Sequence, residues 1–335
     1  MTIPLSRPPV SVLDLSIVSD GHTSADALGD TTTLAKRVDE LNFERFWVAE
    51  HHNMATVAST TPPVLIAHLA ASTTRLRIGS GGVMLPNHPP LVVAEQFAML
   101  EALHPGRIDL GVGRAPGTDP ATAAALRRSP DSLGAEDFPR HLIDLMGLLG
   151  DCRGDNGMWD QFRATPVAGG TPQVWLLGSS GYSAQLAGIL GLPFAFAHHF
   201  DMGGTIEAVD LYRSTFEPSS ALDAPQVLVT ASVLAAETQD AAEWSAAPGR
   251  LSLLARRTGR FTSLISPERA NEHADLSRAM QMATDRIVGD VDTVVAGLDD
   301  LVHRTGADEL MLSTSTYSVA ERVRSFELIA ERWRG

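Results

Sequence analysis

Short apolar runs of strand character alternate with longer helical patterns along the chain, and eight such strand–helix units predict a (β/α)8 barrel. Two further observations support this. The chain has 335 residues, which a barrel with insertions fills as one unit. No internal repeat, low-complexity tract or linker divides it. The alternation implies parallel strands joined by right-handed crossovers, although pattern alone also admits an open doubly wound sheet. The expectation is one domain over 1–335, with insertions at the C-terminal mouth over about 114–138 and 249–285.

The elements follow in order. Val10 to Leu15 reads as the first strand, and Leu34, Ala35, Val38 and Leu41 then recur at helical spacing. Arg45 to Ala49 is the second strand, followed by a helix over Val64 to Ala71. Leu76 to Ile78 continues into Ser80-Gly81-Gly82, and a helix starts after His88-Pro89-Pro90, where proline suits the first turn. Ile108 to Val112 is the fourth strand and Gln173 to Leu177 the fifth. Gly178-Ser179-Ser180-Gly181 opens a helix through Leu190, with Gly191 as its stop signal. Phe194 to Ala197, Val227 to Val233 and Glu309 to Leu312 complete the strands, and an amphipathic helix over Ser318 to Trp333 closes the chain.

Composition narrows the function classes. Apolar residues make up 44% and charged residues 20%, enough for a large core. Lys and Arg number 26 against 40 for Asp and Glu, a net charge of −14. Such a surface repels phosphate backbones and anionic lipid, so neither nucleic acid nor membrane is an expected partner. Cys152 is the single cysteine, which removes internal disulfides and cysteine zinc sites. Prolines interrupt the opening MTIPLSRPPV, so no signal peptide is expected, and no run has the length of a membrane span. The expected location is the cytoplasm.

Four segments carry candidate chemistry. Trp47-Val48-Ala49-Glu50-His51-His52-Asn53 takes an apolar strand into a carboxylate and two imidazoles at the end of a barrel strand where catalytic groups gather. Neighbours on an extended strand face opposite ways, so His51 and His52 should not share one metal; the plain alternative is two partly buried histidines bonded to backbone. Gly79-Ser80-Gly81-Gly82 marks either a bulge or a place where a flat ligand meets backbone. Gly113-Arg114-Ala115 ends another strand in a guanidinium suited to grip an anion, unless a surface carboxylate pairs with it. Ser179-Ser180-Gly181-Tyr182-Ser183 adds hydroxyls and the positive end of a helix dipole, which together suit a phosphate or form an ordinary cap. No His-x-His follows the first strand, which reads Asp14-Leu15-Ser16, and there is no Walker loop or Gly-x-Ser-x-Gly elbow. No metal site is expected.

The runs AEHHN, GSGGVMLPNHPPLVVAEQF, LHPGRIDLGVGRAPGTD and GADELML, in this order over nearly the whole chain, resemble the bacterial luciferase-like flavin monooxygenases. The likeness is to the non-luminescent single-chain members of bacterial metabolism and antibiotic biosynthesis. It implies a luciferase-like barrel with FMN at its mouth, used as reduced flavin from a separate NAD(P)H-dependent flavin reductase. Oxygen then oxygenates an apolar small-molecule substrate through a flavin peroxide. His51 matches the active-site histidine, with Glu50 and His52 as its neighbours. Gly81-Gly82 matches a non-proline, often cis, peptide beneath the ring, and His88 and Glu95 match positions near it. Arg114, Ser179, Ser180 and Ser183 match the flavin-phosphate site, with Tyr182 in the same cofactor-binding run. His198 lies where a ring-stacking residue is expected. A homodimer through early barrel helices is implied as well. Gly113 departs from the reactive cysteine of true luciferases, which counts against light emission. Alternatives on the same fold are a deazaflavin coenzyme with hydride transfer and a non-catalytic flavin-binding protein.

Overall fold

Parallel strands buried on both faces need helices outside and a filled axis inside. The computed structural model, which describes residues 7–115, 117–126, 137–154, 156–200 and 202–334, provides both. Its strands are β1 (Val10–Asp14), β2 (Arg45–Val48), β3 (Arg77–Met84), β4 (Ile108–Gly113), β5 (Gln173–Gly178), β6 (Phe194–Phe196), β7 (Val227–Ala236), β8 (Ile287–Asp290) and β9 (Glu309–Ser313). Helices α1 (Ser24–Glu40), α2 (Pro62–Ser72), α3 (Pro90–Leu103), α4 (Pro120–Leu126), α5 (Phe138–Leu148) and α6 (Gly181–Ile189) accompany the first five strands. After them come α7 (Thr205–Thr215), α8 (Gln239–Arg257), α9 (Pro267–Asn271), α10 (Leu276–Met280), α11 (Val291–Thr305) and α12 (Val319–Arg334).

Every strand pairing is parallel, and the β6–β7 contact closes the sheet into a ring through β9 and β1. The eight strands expected from the sequence are the eight of this ring. β8 was not expected. It pairs outside the ring with the far end of β7, Val233 opposite Ile287 through Ala236 opposite Asp290. Four residues without clear alternation carry too little pattern to be read as a strand. Into the second expected insertion α8 runs unbroken, through Pro248 and Gly249. Proline removes one helical hydrogen bond without excluding the helix, so the segment expected as an insertion holds the end of α8 followed by α9 and α10. Of the first insertion, α4 is a helix, while Pro116 and residues 127–136 lie outside the described residues.

Period-two alternation fills the axis in layers. Successive inward residues of β2 and its exit are Arg45, Trp47, Ala49 and His51, rising from base to mouth. At the base Arg45 Nε donates to both carboxylate oxygens of Glu309 at 3.0 Å, and its Nη1 reaches Asp109 Oδ2 at 2.9 Å. Arg77 Nε donates to Asp109 Oδ1 at 2.9 Å, and Ser11 donates to Glu309. Asp109 is 0% and Glu309 2% exposed, so these charges have been taken fully out of water. Above them Leu13, Trp47, Trp175, Ala195, Leu228 and Met311 form an apolar plug. The two indoles meet edge to face at 5.5 Å, and Trp47 Nε1 donates to Asp109 at 3.0 Å. A larger core lies outside the ring, where Phe46, Ile78 and Leu110 of the strands meet Leu34, Ile66 and Phe97 of the helices.

Removing Asp109 would leave Arg45 short of one partner and Arg77 without its carboxylate in a dry layer. Asp109→Ala is expected to cost about 3–5 kcal/mol of stability, the range for breaking a buried ion pair. Denaturant unfolding of both proteins measures it, and a change below about 1 kcal/mol would show that water reaches the base of the barrel.

Candidate active site

At the mouth β2 gives way to a turn that separates three consecutive polar side chains. Glu50 is 1% exposed and stands behind the cavity wall. Its Oε1 accepts hydrogen bonds from His52 Nε2 and His88 Nε2, each at 2.8 Å, and its Oε2 accepts one from the Met84 amide at 3.0 Å. Since a carboxylate only accepts, both Nε2 atoms carry the proton. Burial pushes the Glu50 pKa up, but His88, His52 and the Met84 amide outweigh it and hold the acid below its ordinary value. Glu50, His52 and His88 place possible metal-ligand atoms within 4.8 Å of one another. As arranged, hydrogen bonds within the group satisfy them.

His51 faces the other way and lines two adjoining cavities. Its backbone N–H donates to Ser59 O at 3.1 Å, while its Nδ1 is buried without a hydrogen-bond partner among the described residues. Burial pulls its pKa below the ordinary histidine value; Glu50 opposes this, and His52 and Arg256 add to it. The imidazole is therefore neutral at pH 7. One cavity, of about 260 Å³, is lined by Gly81, Gly82, Arg114, Ser179, Ser180 and Ser183 among others. The other, of about 570 Å³, runs past His52, Asn53, Thr118 and Phe261.

The anion-binding features meet at the first cavity. Arg114 has no carboxylate partner among the described residues; its guanidinium lies 4.3 Å from the centre of the Tyr182 ring. Ser180 is the N-cap of α6, and its hydroxyl makes no capping bond to its own helix. The unpaired amides of that first turn and the Ser179, Ser180 and Ser183 hydroxyls therefore sit with the guanidinium at one cavity wall. Gly81 and Gly82 of β3 line the same cavity without side chains. The Gly81–Gly82 peptide is cis, and the register against β4 shifts between Gly81 and Val83. A Cβ on Gly82 would come within 2.8 Å of Gly111 O, and one on Gly111 would collide with Ser80 O. The glycines thus serve strand packing as well as the cavity wall.

Several expected positions fall elsewhere. Tyr182 is not on the cavity wall but packs beneath Arg114. His88 acts behind the wall through Glu50. Glu95 is on the flank of α3, where its carboxylate accepts from Thr165 Oγ1 at 3.0 Å; Val93, Ala94 and Phe97 are the residues that helix buries. His198 bonds Thr205 through Nδ1 at 2.8 Å, and His199 lines the cavity in its place. Ala195 of β6 and Ala197 beyond it line the cavity, and His199 and Phe200 follow from the single 3-10 turn His198–Phe200, whose geometry strand alternation does not foresee. Burial, then Arg256, His198, Arg286 and His51, push the His199 pKa down to about 3. Arg256 and Arg286, which line both cavities, were not singled out from the sequence. They come from the late segment after β7, far from the strand-end motifs.

Comparisons with known proteins identify the family and the fold. Residues 10–309 match the pattern of the luciferase-like monooxygenases. A luciferase-like monooxygenase of Escherichia coli strain K12 is 42% identical over 325 residues, 95% of each chain. The N-acetyl-S-alkylcysteine monooxygenase of Bacillus subtilis strain 168 is 33% identical over 96% of this chain and 97% of its own. Among solved structures, apo-MsnO8 superposes with a TM-score of 0.89 at 36% identity, over 97% of this chain and 98% of that one. The oxygenating constituent of 3,6-diketocamphane monooxygenase from Pseudomonas putida, solved in complex with FMN, has the same fold at a TM-score of 0.75 and 17% identity, over 98% of each chain. On the family match over residues 10–309 and the 42% identity to the Escherichia coli relative, the chain belongs to the luciferase-like monooxygenase family.

Proposed function

We propose that the protein is an FMN-dependent monooxygenase that takes reduced flavin from a separate NAD(P)H-dependent reductase and oxygenates a small organic substrate. One observation carries this reading. A guanidinium without a carboxylate partner and the hydroxyl-bearing start of α6 share a single cavity with His51, beside a side-chain-free stretch of β3. These residues fit FMN: Arg114, Ser179, Ser180 and Ser183 would hold its phosphate, and Gly81 and Gly82 leave room for a flat ring. Bound reduced FMN would supply the electrons that activate oxygen. The chain's part is to hold and shield. Leu13, Trp47, Met84 and Leu177 form an apolar floor that keeps water from the reacting centre. His51, neutral and lining the cavity, accepts or returns a proton there. The related N-acetyl-S-alkylcysteine monooxygenase and the FMN complex on the same fold support the reading.

We further take the assembly to be a homodimer through α2 and α3, whose outward faces expose Val64, Val92, Met99 and Leu103. Sedimentation at micromolar concentration reads its mass directly.

Arg114→Ala should weaken FMN binding by about 1.5–3 kcal/mol, the loss of a charge-assisted contact. Flavin fluorescence quenching measures it, and wild-type affinity, or preference for a deazaflavin coenzyme, would overturn the FMN reading. His51→Ala should retain FMN but uncouple it, so that oxygen consumption continues as peroxide release while product formation falls at least about 100-fold. Glu50→Gln should lower stability by about 1.5–3 kcal/mol at pH 7. Because the folded-state pKa of Glu50 lies below its ordinary 4.5, that contribution is complete above pH 4.5 and disappears as pH falls below it. Unfolding curves of the two proteins should accordingly converge in acid.

A further inference from the structure

Arg114 and Tyr182 come from neighbouring strand ends. Arg114 follows Gly113 at the end of β4, Tyr182 sits in the first turn of α6 after β5, and the two strands pair from Asp109 opposite Gln173 to Val112 opposite Leu176. In that turn Ser183 is buried against Gly178, where a Cβ would collide with it, while Tyr182 is 40% exposed. The guanidinium carbon of Arg114 lies over the Tyr182 ring, 4.3 Å from its centre. Neither side chain has a hydrogen bond or an ion pair among the described residues, the Tyr182 hydroxyl included. Arg114 and Ser183 line the cavity, and Tyr182 does not.

An arginine that is to meet an anionic ligand must be held in place without being neutralised. A carboxylate partner would hold it, but its two oxygens would take the paired N–H donors that a phosphate needs, and its charge would cancel the attraction. An aromatic face also attracts the cation, and it carries no net charge. The chain has 40 acidic residues against 26 basic ones, yet the neighbour of this guanidinium is a ring.

We propose that Tyr182 is a positioning residue for the cofactor's phosphate: its ring fixes the Arg114 guanidinium at the cavity wall and leaves the charge and the donors to a phosphate monoester, so that the site distinguishes FMN from riboflavin. The inference rests on the flavin reading above, in which Arg114 meets that phosphate. Tyr182 acts through Arg114, and its hydroxyl has no part.

The test titrates the full chain with FMN and with riboflavin, which share the ring system and differ in the phosphate, and follows the quenching of flavin fluorescence. The unaltered chain should bind FMN about tenfold or more tightly than riboflavin. Tyr182→Leu should lower that preference about fivefold through FMN alone, with riboflavin affinity kept within about twofold, and Tyr182→Phe should retain the preference. On an Arg114→Gln background, adding Tyr182→Leu should change FMN affinity by less than about twofold, because the ring then has no guanidinium to hold. The face that α6 buries is made of Ser183, Ala184, Ala187 and Gly188, so shortening Tyr182 leaves its packing in place.

An unchanged FMN-to-riboflavin ratio in Tyr182→Leu would sink the proposal and leave the flavin reading standing. An equal loss of riboflavin affinity would mark a general disturbance of the site and sink it too. A matching loss in Tyr182→Phe would give the contact to the hydroxyl, and an undiminished effect on the Arg114→Gln background would show that the ring does not act through Arg114; either result overturns the assignment. If the unaltered chain binds FMN no better than riboflavin, the phosphate role of Arg114 in the flavin reading fails first, and that of Tyr182 falls with it.

Discussion

The structure depends on a buried ionic layer at the base of the barrel. Eight parallel strands close around an axis that their own inward side chains must fill, and the lowest inward positions are held by Arg45, Arg77, Asp109, Glu309 and Ser11 in mutual contact. Apolar groups alone could fill such a layer, often at no loss of stability. Ions add direction. Asp109 bridges two arginines and also receives the Trp47 indole, so one carboxylate links β2, β3 and β4 and orients the plug above. Because alternation is rigid, fixing Arg45 at the base determines that Trp47, Ala49 and His51 follow inward in turn.

The mouth follows a different electrostatic rule. At the base every charge has its opposite within hydrogen-bonding distance, whereas at the mouth Arg114 has no carboxylate partner among the described residues. Unbalanced charge in a partly dry space lowers stability, and sites that bind charged ligands commonly accept that loss. The surplus of acid elsewhere on the chain strengthens the contrast, since an anion approaching an acidic protein meets its favourable potential only inside the mouth.

Much of this was legible in the sequence because it is local. Strand period, glycine punctuation and the residue just beyond each strand end are read within a few positions, and they pointed to the ring, Arg114, Ser179, Ser180 and Ser183; alternation required only that one of His51 and His52 face the pocket, and likeness to the luciferase-like monooxygenases chose His51. What escaped depends on contacts between distant segments. Nothing near Asp109 or Glu309 announces that they share Arg45, 64 and 264 residues away respectively. Arg256 looks like one more basic residue in the last turn of a helix, and Arg286 follows a short loop; only the fold brings them together. Ile287–Asp290 forms a strand because the overlong β7 offers it a free edge, not because its composition demands one. His198 is a different case. Likeness to other proteins selected it, but the chain leaves β6 into a 3-10 turn, and that turn brings His199 and Phe200 to the cavity.

Glu50, His51 and His52 show how three adjacent polar residues acquire separate tasks. Equal exposure would give the two imidazoles similar proton affinity. Burying the carboxylate behind the wall breaks that symmetry, because His52 and His88 both turn toward it and commit their Nε2 protons. His51, held by its backbone bond to Ser59, remains neutral, with an Nδ1 that makes no hydrogen bond among the described residues. A base poised in a cavity needs its proton affinity lowered and its lone pair unoccupied, and here the second follows from the arrangement that fixes its neighbours. The carboxylate therefore shapes the reactive imidazole without touching the space in which it works.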